Sequence, residues 1–158
     1  MSELALQAFL VEDEPSLSRL LADVLEGEGF FVKRVQTTDD GYRFLTEASQ
    51  APALAVFNVS TPGQLTGIEL AQRAIDQWPG LPLILTSGYA SMRNLVPDGV
   101  HFLAKPWTLK QFTELVRQIT PARVVMPRGL PVTRPAAAAR PSLCIRVKRF
   151  LKSKRAAR

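Results

Sequence analysis

Four groups of side chains, far apart in the chain, are of the types needed to bind or receive a phosphoryl group. Glu12 and Asp13 stand side by side in VEDEP, Asn58 lies four residues ahead of Pro62, Thr86 closes PLILT, and Lys105 precedes Pro106 in HFLAKPW. Adjacent carboxylates are hard oxygen donors suited to Mg²⁺, which asks for octahedral oxygen ligands and keeps several of its waters. A threonine hydroxyl can donate to one phosphoryl oxygen, and a lysine ammonium can neutralise another. Transfer of such a group relies mostly on positioning and charge neutralisation, so these few residues suffice in kind.

Each group also has a plainer reading. Glu12, Asp13 and Glu14 could be an acidic helix start favoured by the helix dipole. Asn58 could be a turn residue, and Thr86 and Lys105-Pro106 could simply end strands. What decides between the readings is whether the intervening chain brings the groups together.

The first 120 residues alternate short apolar runs with amphipathic stretches. Strands are expected at Ala5–Val11, Phe30–Val35, Ala53–Val59, Pro82–Thr86 and Val100–Ala104. Helices are expected at Glu14–Glu26 with its leucines at helical spacing, at Asp39–Ala48 with Asp39 or Asp40 near the start, at Gly67–Trp78, and at Thr108–Ile119 capped by Thr108. Ser87–Gly99 is weakly helical at best. The strands read as continuous apolar runs, which implies a parallel sheet covered on both faces. Right-handed crossovers then give a doubly wound α/β fold. In such sheets the site lies at the carboxyl ends of the strands, near the switch in strand order. All four groups fall at strand ends.

In order and spacing these residues resemble the receiver domains of bacterial two-component response regulators. VEDEP, TPGQLTGIEL, PLILTSGYA and HFLAKPW each resemble the family separately, over about residues 4–120. The resemblance implies a five-stranded (βα)5 flavodoxin-like receiver fold. It implies that Asn58 stands at the phosphoacceptor position, with Thr86 and Lys105 supporting the phosphoryl group. It also implies that Glu12, Asp13 and the Ser60 carbonyl form the Mg²⁺ site, and that the Lys-Pro peptide is often cis. Asn58 removes one anionic ligand, so Mg²⁺ affinity is expected to fall. Phe102 stands where the family's switch aromatic is often Tyr. The implied role is signalling rather than enzymatic. The implied partners are a histidine kinase, a phosphotransfer protein or a downstream target, met through the fourth helix, fifth strand and fifth helix, with a homodimer as a further form. Asn58 is either a natural feature of a receiver that binds its partner constitutively or an Asp→Asn substitution that blocks an acceptor.

Charge divides the chain. Residues 1–120 hold nine Lys/Arg and all fourteen Asp/Glu, a net of −5, whereas residues 121–158 hold eleven Lys/Arg and no acid, a net of +11. The pattern predicts a domain at 1–120, a Pro/Ala/Arg-rich extended linker at 121–141 and a basic tail at 142–158. In the tail, Leu143, Val147, Phe150 and Leu151 mark a short amphipathic helix. Such a tail suits an anionic membrane, an acidic protein or nucleic acid, or else is a disordered solubilising segment. A second functional reading is therefore an adaptor acting through the tail, with the receiver as a phosphate-independent docking module. The remaining length is too short for a DNA-reading output domain. His101 and Cys144 lack metal-site partners. The single cysteine, the lack of a signal-peptide pattern and the lack of a membrane-length apolar run point to the cytoplasm. A flavodoxin-like enzyme or nucleotide binder is disfavoured, because acids stand after the first strand where a glycine-rich phosphate loop would lie.

Overall fold

The computed structural model describes residues 6–120. The expected linker at 121–141 and the tail helix at 142–158 lie outside the described residues.

Five strands and four α-helices alternate along the chain: β1 Gln7–Val11, α1 Pro15–Gly27, β2 Phe31–Val35, α2 Thr38–Glu47, β3 Leu54–Asn58, α3 Gly67–Gln77, β4 Leu83–Ser87, β5 His101–Ala104 and α4 Leu109–Ile119. The sheet order is β2-β1-β3-β4-β5, and every neighbouring pair is parallel. The chain therefore winds outward from β1 in both directions, and the order switches between β1 and β3.

Strand periodicity sorts the core into two layers, because successive side chains point to opposite faces. Phe9, Val11, Ala55, Phe57, Leu83 and Leu85 pack with Leu45 of α2 and Leu70, Ala71 and Ala74 of α3. Ala8, Leu10, Leu54, Val56 and Ile84 pack on the other face with Leu21, Ala22 and Leu25 of α1 and Phe112 and Val116 of α4. Covered strands are the expectation, and all five residues of β3 and of β4 are buried. It fails at both edges: Phe31, Lys33 and Arg34 of β2 are exposed, and β5 has no buried residue, with His101 exposed. The physical reason is position: the edge strands have a neighbour on one side only, and on β2 only Val32 and Val35 pack, in part, against the two cores.

Local chemistry sets the helix starts. The Glu14 carboxylate accepts from the Ser16 and Leu17 N–H groups and caps α1. Thr37 caps α2, with Asp39 and Asp40 in its first turn. Thr66 and Glu69 form a reciprocal capping box on α3, and Thr108 and Gln111 do the same on α4. Between β4 and β5 the chain makes only a six-residue 3-10 helix, Ala90–Leu95, with no side-chain cap and no buried residue. The fourth helix expected at the partner face is thus reduced to this short segment, and the closing helix of that face is α4.

Gly67 opens α3 beneath the end of β3. A Cβ there would collide with the Asn58 carbonyl oxygen and lie 2.8 Å from Val59 Cα. Those are backbone atoms and cannot rotate away. Gly67→Ala is expected to destabilise the domain by about 1–3 kcal/mol, although alanine in a helix is worth about 1 kcal/mol over glycine. Chemical denaturation checks the sign, and a more stable variant would show that α3 moves freely relative to β3.

Candidate functional site at the carboxyl ends of the strands

The sheet register brings the separated groups together. Val11, the last residue of β1, lies beside Phe57, so Glu12 and Asp13 emerge next to Asn58. Asn58 pairs with Thr86. The Lys105 N–H donates to the Ser87 carbonyl at 2.8 Å and so continues the β4–β5 pairing beyond β5. Glu12, Asn58 and Thr86 are all buried.

The Asn58 amide is the hub. Its Nδ2 donates to Glu12 Oε1 at 3.3 Å and to Asp13 Oδ1 at 3.0 Å. The orientation follows from the partners, since only the nitrogen end of an amide can donate to two carboxylates. Thr61 closes the turn after β3, its hydroxyl donating to the Asn58 carbonyl at 2.7 Å. Ser60 is exposed on that turn.

The two oxygens of Glu12 have different surroundings. Oε1 also accepts from the Glu14 N–H at 3.1 Å. Oε2 is buried without a hydrogen bond and faces Lys105 Nζ across 3.5 Å. Burial pushes the Glu12 carboxyl above its ordinary range; the Glu14 N–H and the Lys105 ammonium pull it back, and Asp13 pushes it up. A carboxyl whose folded pKa is raised contributes stability that is fully present below its unfolded pKa and is lost as pH rises through the folded value. Lys105 limits that loss. Lys105→Ala is therefore expected to cost little at pH values low enough to protonate Glu12. It should cost about 1–3 kcal/mol near neutrality, where a buried carboxylate loses its counter-charge. Denaturation midpoints at several pH values check this, and a pH-independent difference would show that the Glu12–Lys105 pair does not form.

Of the residues expected at the site, Glu12, Asp13, Asn58 and Lys105 touch one another and Thr86 is adjacent in register. Phe102 stands apart. It pairs with Leu85 and packs against the α2–α3 side of the core, with the Arg93 guanidinium 5.4 Å from its ring centroid. The Lys105-Pro106 peptide is cis. Two contributors went unassigned in the sequence. Thr61 could have been found, as a hydroxyl three residues after Asn58 in a turn. Arg93 could not, since nothing local links it to Phe102. Among the described residues, no cluster of three or more His, Cys, Asp or Glu side chains could hold a metal. The acidic pair is thus two carboxylates whose inner lone pairs are occupied by an amide.

Residues 8–117 match the family model described as the response regulator receiver domain. The response regulator receiver protein CpdR of Brucella abortus is 30% identical over 114 residues, covering 70% of this chain and 90% of that protein. The nitrogen assimilation regulatory protein NtrX of Azorhizobium caulinodans is 27% identical over 103 residues, covering 62% of this chain. The chain spans only 22% of NtrX and 26% of a second relative, the hydrogenase transcriptional regulatory protein HoxA of Cupriavidus necator. Among solved structures, a receiver protein from Sinorhizobium medicae superposes with a TM-score of 0.70 at 24% identity, covering 77% of this chain and 98% of that one. The receiver domain of the hybrid histidine kinase CckA gives 0.62 at 26% identity, covering 72% and 98%.

Proposed function

Because the chain belongs to the response regulator receiver family, we propose that it is a two-component receiver that signals by binding a protein partner and takes no phosphoryl group at position 58. The observation that carries this reading is the Asn58 amide, which donates to both Glu12 and Asp13. It supplies no nucleophilic oxygen anion and holds the acidic pair by hydrogen bonding without adding charge. On this reading Thr86, paired with Asn58 in the register, and Lys105, facing Glu12, are the groups that would support a phosphoryl group.

Receiver domains commonly bind Mg²⁺ at this acidic pocket. The residues here fit the ion in kind: Glu12 Oε2 is buried without a hydrogen bond, Asp13 adds a second carboxylate, and the Ser60 carbonyl is the third oxygen by family likeness. Bound there, Mg²⁺ would supply positive charge opposite a phosphoryl group. With Asn58 present, two anionic ligands remain instead of three, and the ion must also displace the amide N–H. Weak binding follows.

The partner surface proposed is the Ala90–Leu95 segment, β5 and α4, with Phe102 as the switch residue. It carries Leu95 and Leu109, both substantially exposed, and the partner is a kinase, a phosphotransfer protein, a downstream target or a second copy. The tail supports a second reading. Its eleven Lys/Arg without an acid suit an anionic membrane, an acidic protein or nucleic acid, with the receiver as docking module.

Intact mass after incubation with Mg²⁺ and a small phosphodonor tests the leading reading. The mass is expected to stay unchanged. A gain of one phosphoryl group by the unaltered protein would show that another residue, such as Thr61 or Ser60, accepts it, and the reading would be wrong.

A further inference from the structure

The nine basic side chains of residues 1–120 are not distributed evenly with respect to partners. Lys105 faces Glu12, Arg43 faces Asp40, Lys110 faces Glu114 and Arg117 faces Glu28. Arg73 lies over Tyr42 and Arg93 over Phe102. Arg19, Lys33 and Arg34 remain, and none of them has a partner among the described residues. All three lie on α1 or the neighbouring edge strand β2.

Arg34 pairs with Leu10 in the register and Lys33 with Phe9, so Arg34 points to the α1 side of the sheet and Lys33 to the other. On the α1 side, Arg19 and Arg34 line an open cleft of about 480 Å³ together with Pro15, Ser18 and Gln36. Its lining is thus two guanidinium groups, a hydroxyl and an amide, with no carboxylate. Both guanidinium groups thus stand without a counter-ion among the described residues. Guanidinium groups are donors only, in a planar fork that matches carboxylate and phosphate oxygens.

From this we infer that the α1–β2 cleft is a docking site for an acidic, extended segment of a partner protein, with carboxylates received by Arg19 and Arg34. The strand beside the cleft selects a peptide over a bare oxyanion. β2 is the last strand of the sheet, so no strand among the described residues pairs with its outer backbone groups, and an extended peptide can add to such an edge. Carboxylates at alternate positions of that peptide fall on one face, at the period of the strand. The cleft lies on a different face from the segment around Phe102, so a partner bound here leaves that surface open. The inference does not depend on whether Asn58 accepts a phosphoryl group.

The basic tail also attracts acidic peptides, so the test must be resolved by site. An end-capped peptide of alternating Glu and Val is titrated into the full chain while arginine Nε–H and backbone amide resonances are followed. Saturable shifts are expected at Arg19 and Arg34 and at the amides of Ser18 and Gln36. The double variant Arg19→Glu/Arg34→Glu should abolish those shifts, and Lys110→Glu on α4 should leave them intact. Shifts confined to residues 121–158 would overturn the site. Equal shifts with inorganic phosphate would overturn the peptide in favour of a simple oxyanion site, and loss of the shifts in Lys110→Glu would reduce the effect to overall charge.

Discussion

Asn58→Asp is expected to make the protein both Mg²⁺-dependent in stability and reactive toward a small phosphodonor. The substitution keeps the shape of the side chain and changes its chemistry twice over. First, it removes the two hydrogen bonds from Asn58 Nδ2 to Glu12 and Asp13. Bonds to charged groups contribute about 1.5–3 kcal/mol each. Second, it sets a third carboxylate against the pair, with only Lys105 opposite. Two like charges at about 4 Å repel by about 4 kcal/mol at an effective dielectric near 20. Partial protonation and side-chain rotation will relieve part of this, leaving a net loss of about 3 kcal/mol. For a domain of this size that lowers the melting temperature by roughly 10 °C in a chelating buffer. Mg²⁺ should restore most of it, because the ion then has three anionic ligands. In the same buffer the Asp variant should gain one phosphoryl group by intact mass. The unaltered protein should show little difference between chelator and Mg²⁺. Equal melting temperatures for both proteins in both buffers would mean that the amide contacts contribute nothing. Failure of the Asp variant to gain mass would mean that Thr86 and Lys105 are not placed for the transfer.

The second large effect lies in the core below the site. Phe9 is fully buried at the centre of β1. Its ring stacks on Phe44 of α2 with centroids 4.0 Å apart and meets Phe57 of β3 edge-on at 5.6 Å. Phe9→Ala should cost about 3–5 kcal/mol, as truncation of buried aromatics does, because the sheet and helix backbones close only part of the cavity. Against a typical total of about 5–15 kcal/mol, the variant stays folded with little margin. Urea denaturation should show a lower midpoint with an unchanged slope. A loss below about 1 kcal/mol would mean that α2 collapses onto the sheet and is held less rigidly than its stacking implies. The site would feel such a collapse, since β1 and β3 carry Glu12 and Asn58 at their ends.

How far these features could be read from sequence depended on the range of the interaction involved. Caps are local, and Thr108 was legible because a threonine followed by Gln111 is a pattern within one turn. At α2, two adjacent acids obscured the cap, and Thr37 takes that role by bonding the Asp40 N–H. Apolar runs at Ala53–Val59 and Pro82–Thr86 identified the covered strands, observed at Leu54–Asn58 and Leu83–Ser87. The run at Phe30–Val35 is broken by Lys33 and Arg34, charges that suit an edge strand, but which strand lies at the edge follows from strand order. The Ser87–Gly99 segment has weak periodicity, and the structure gives it only a 3-10 helix.

For the site, residue identities specified two carboxylates, an amide, a hydroxyl and an ammonium, and their order along the chain tied them to strand ends. These are properties of composition and short-range pattern and do not require coordinates, whereas the acceptor role of position 58 rested on the family resemblance. Tertiary structure alone decided which atoms meet: that the Asn58 nitrogen spans both acids, that one oxygen of Glu12 is left to Lys105, and that Arg93 covers Phe102. It also decided that Arg19 and Arg34 share a cleft. Each of these contacts joins residues from different elements, and their distances follow from strand register and helix packing, to which no single stretch of sequence refers.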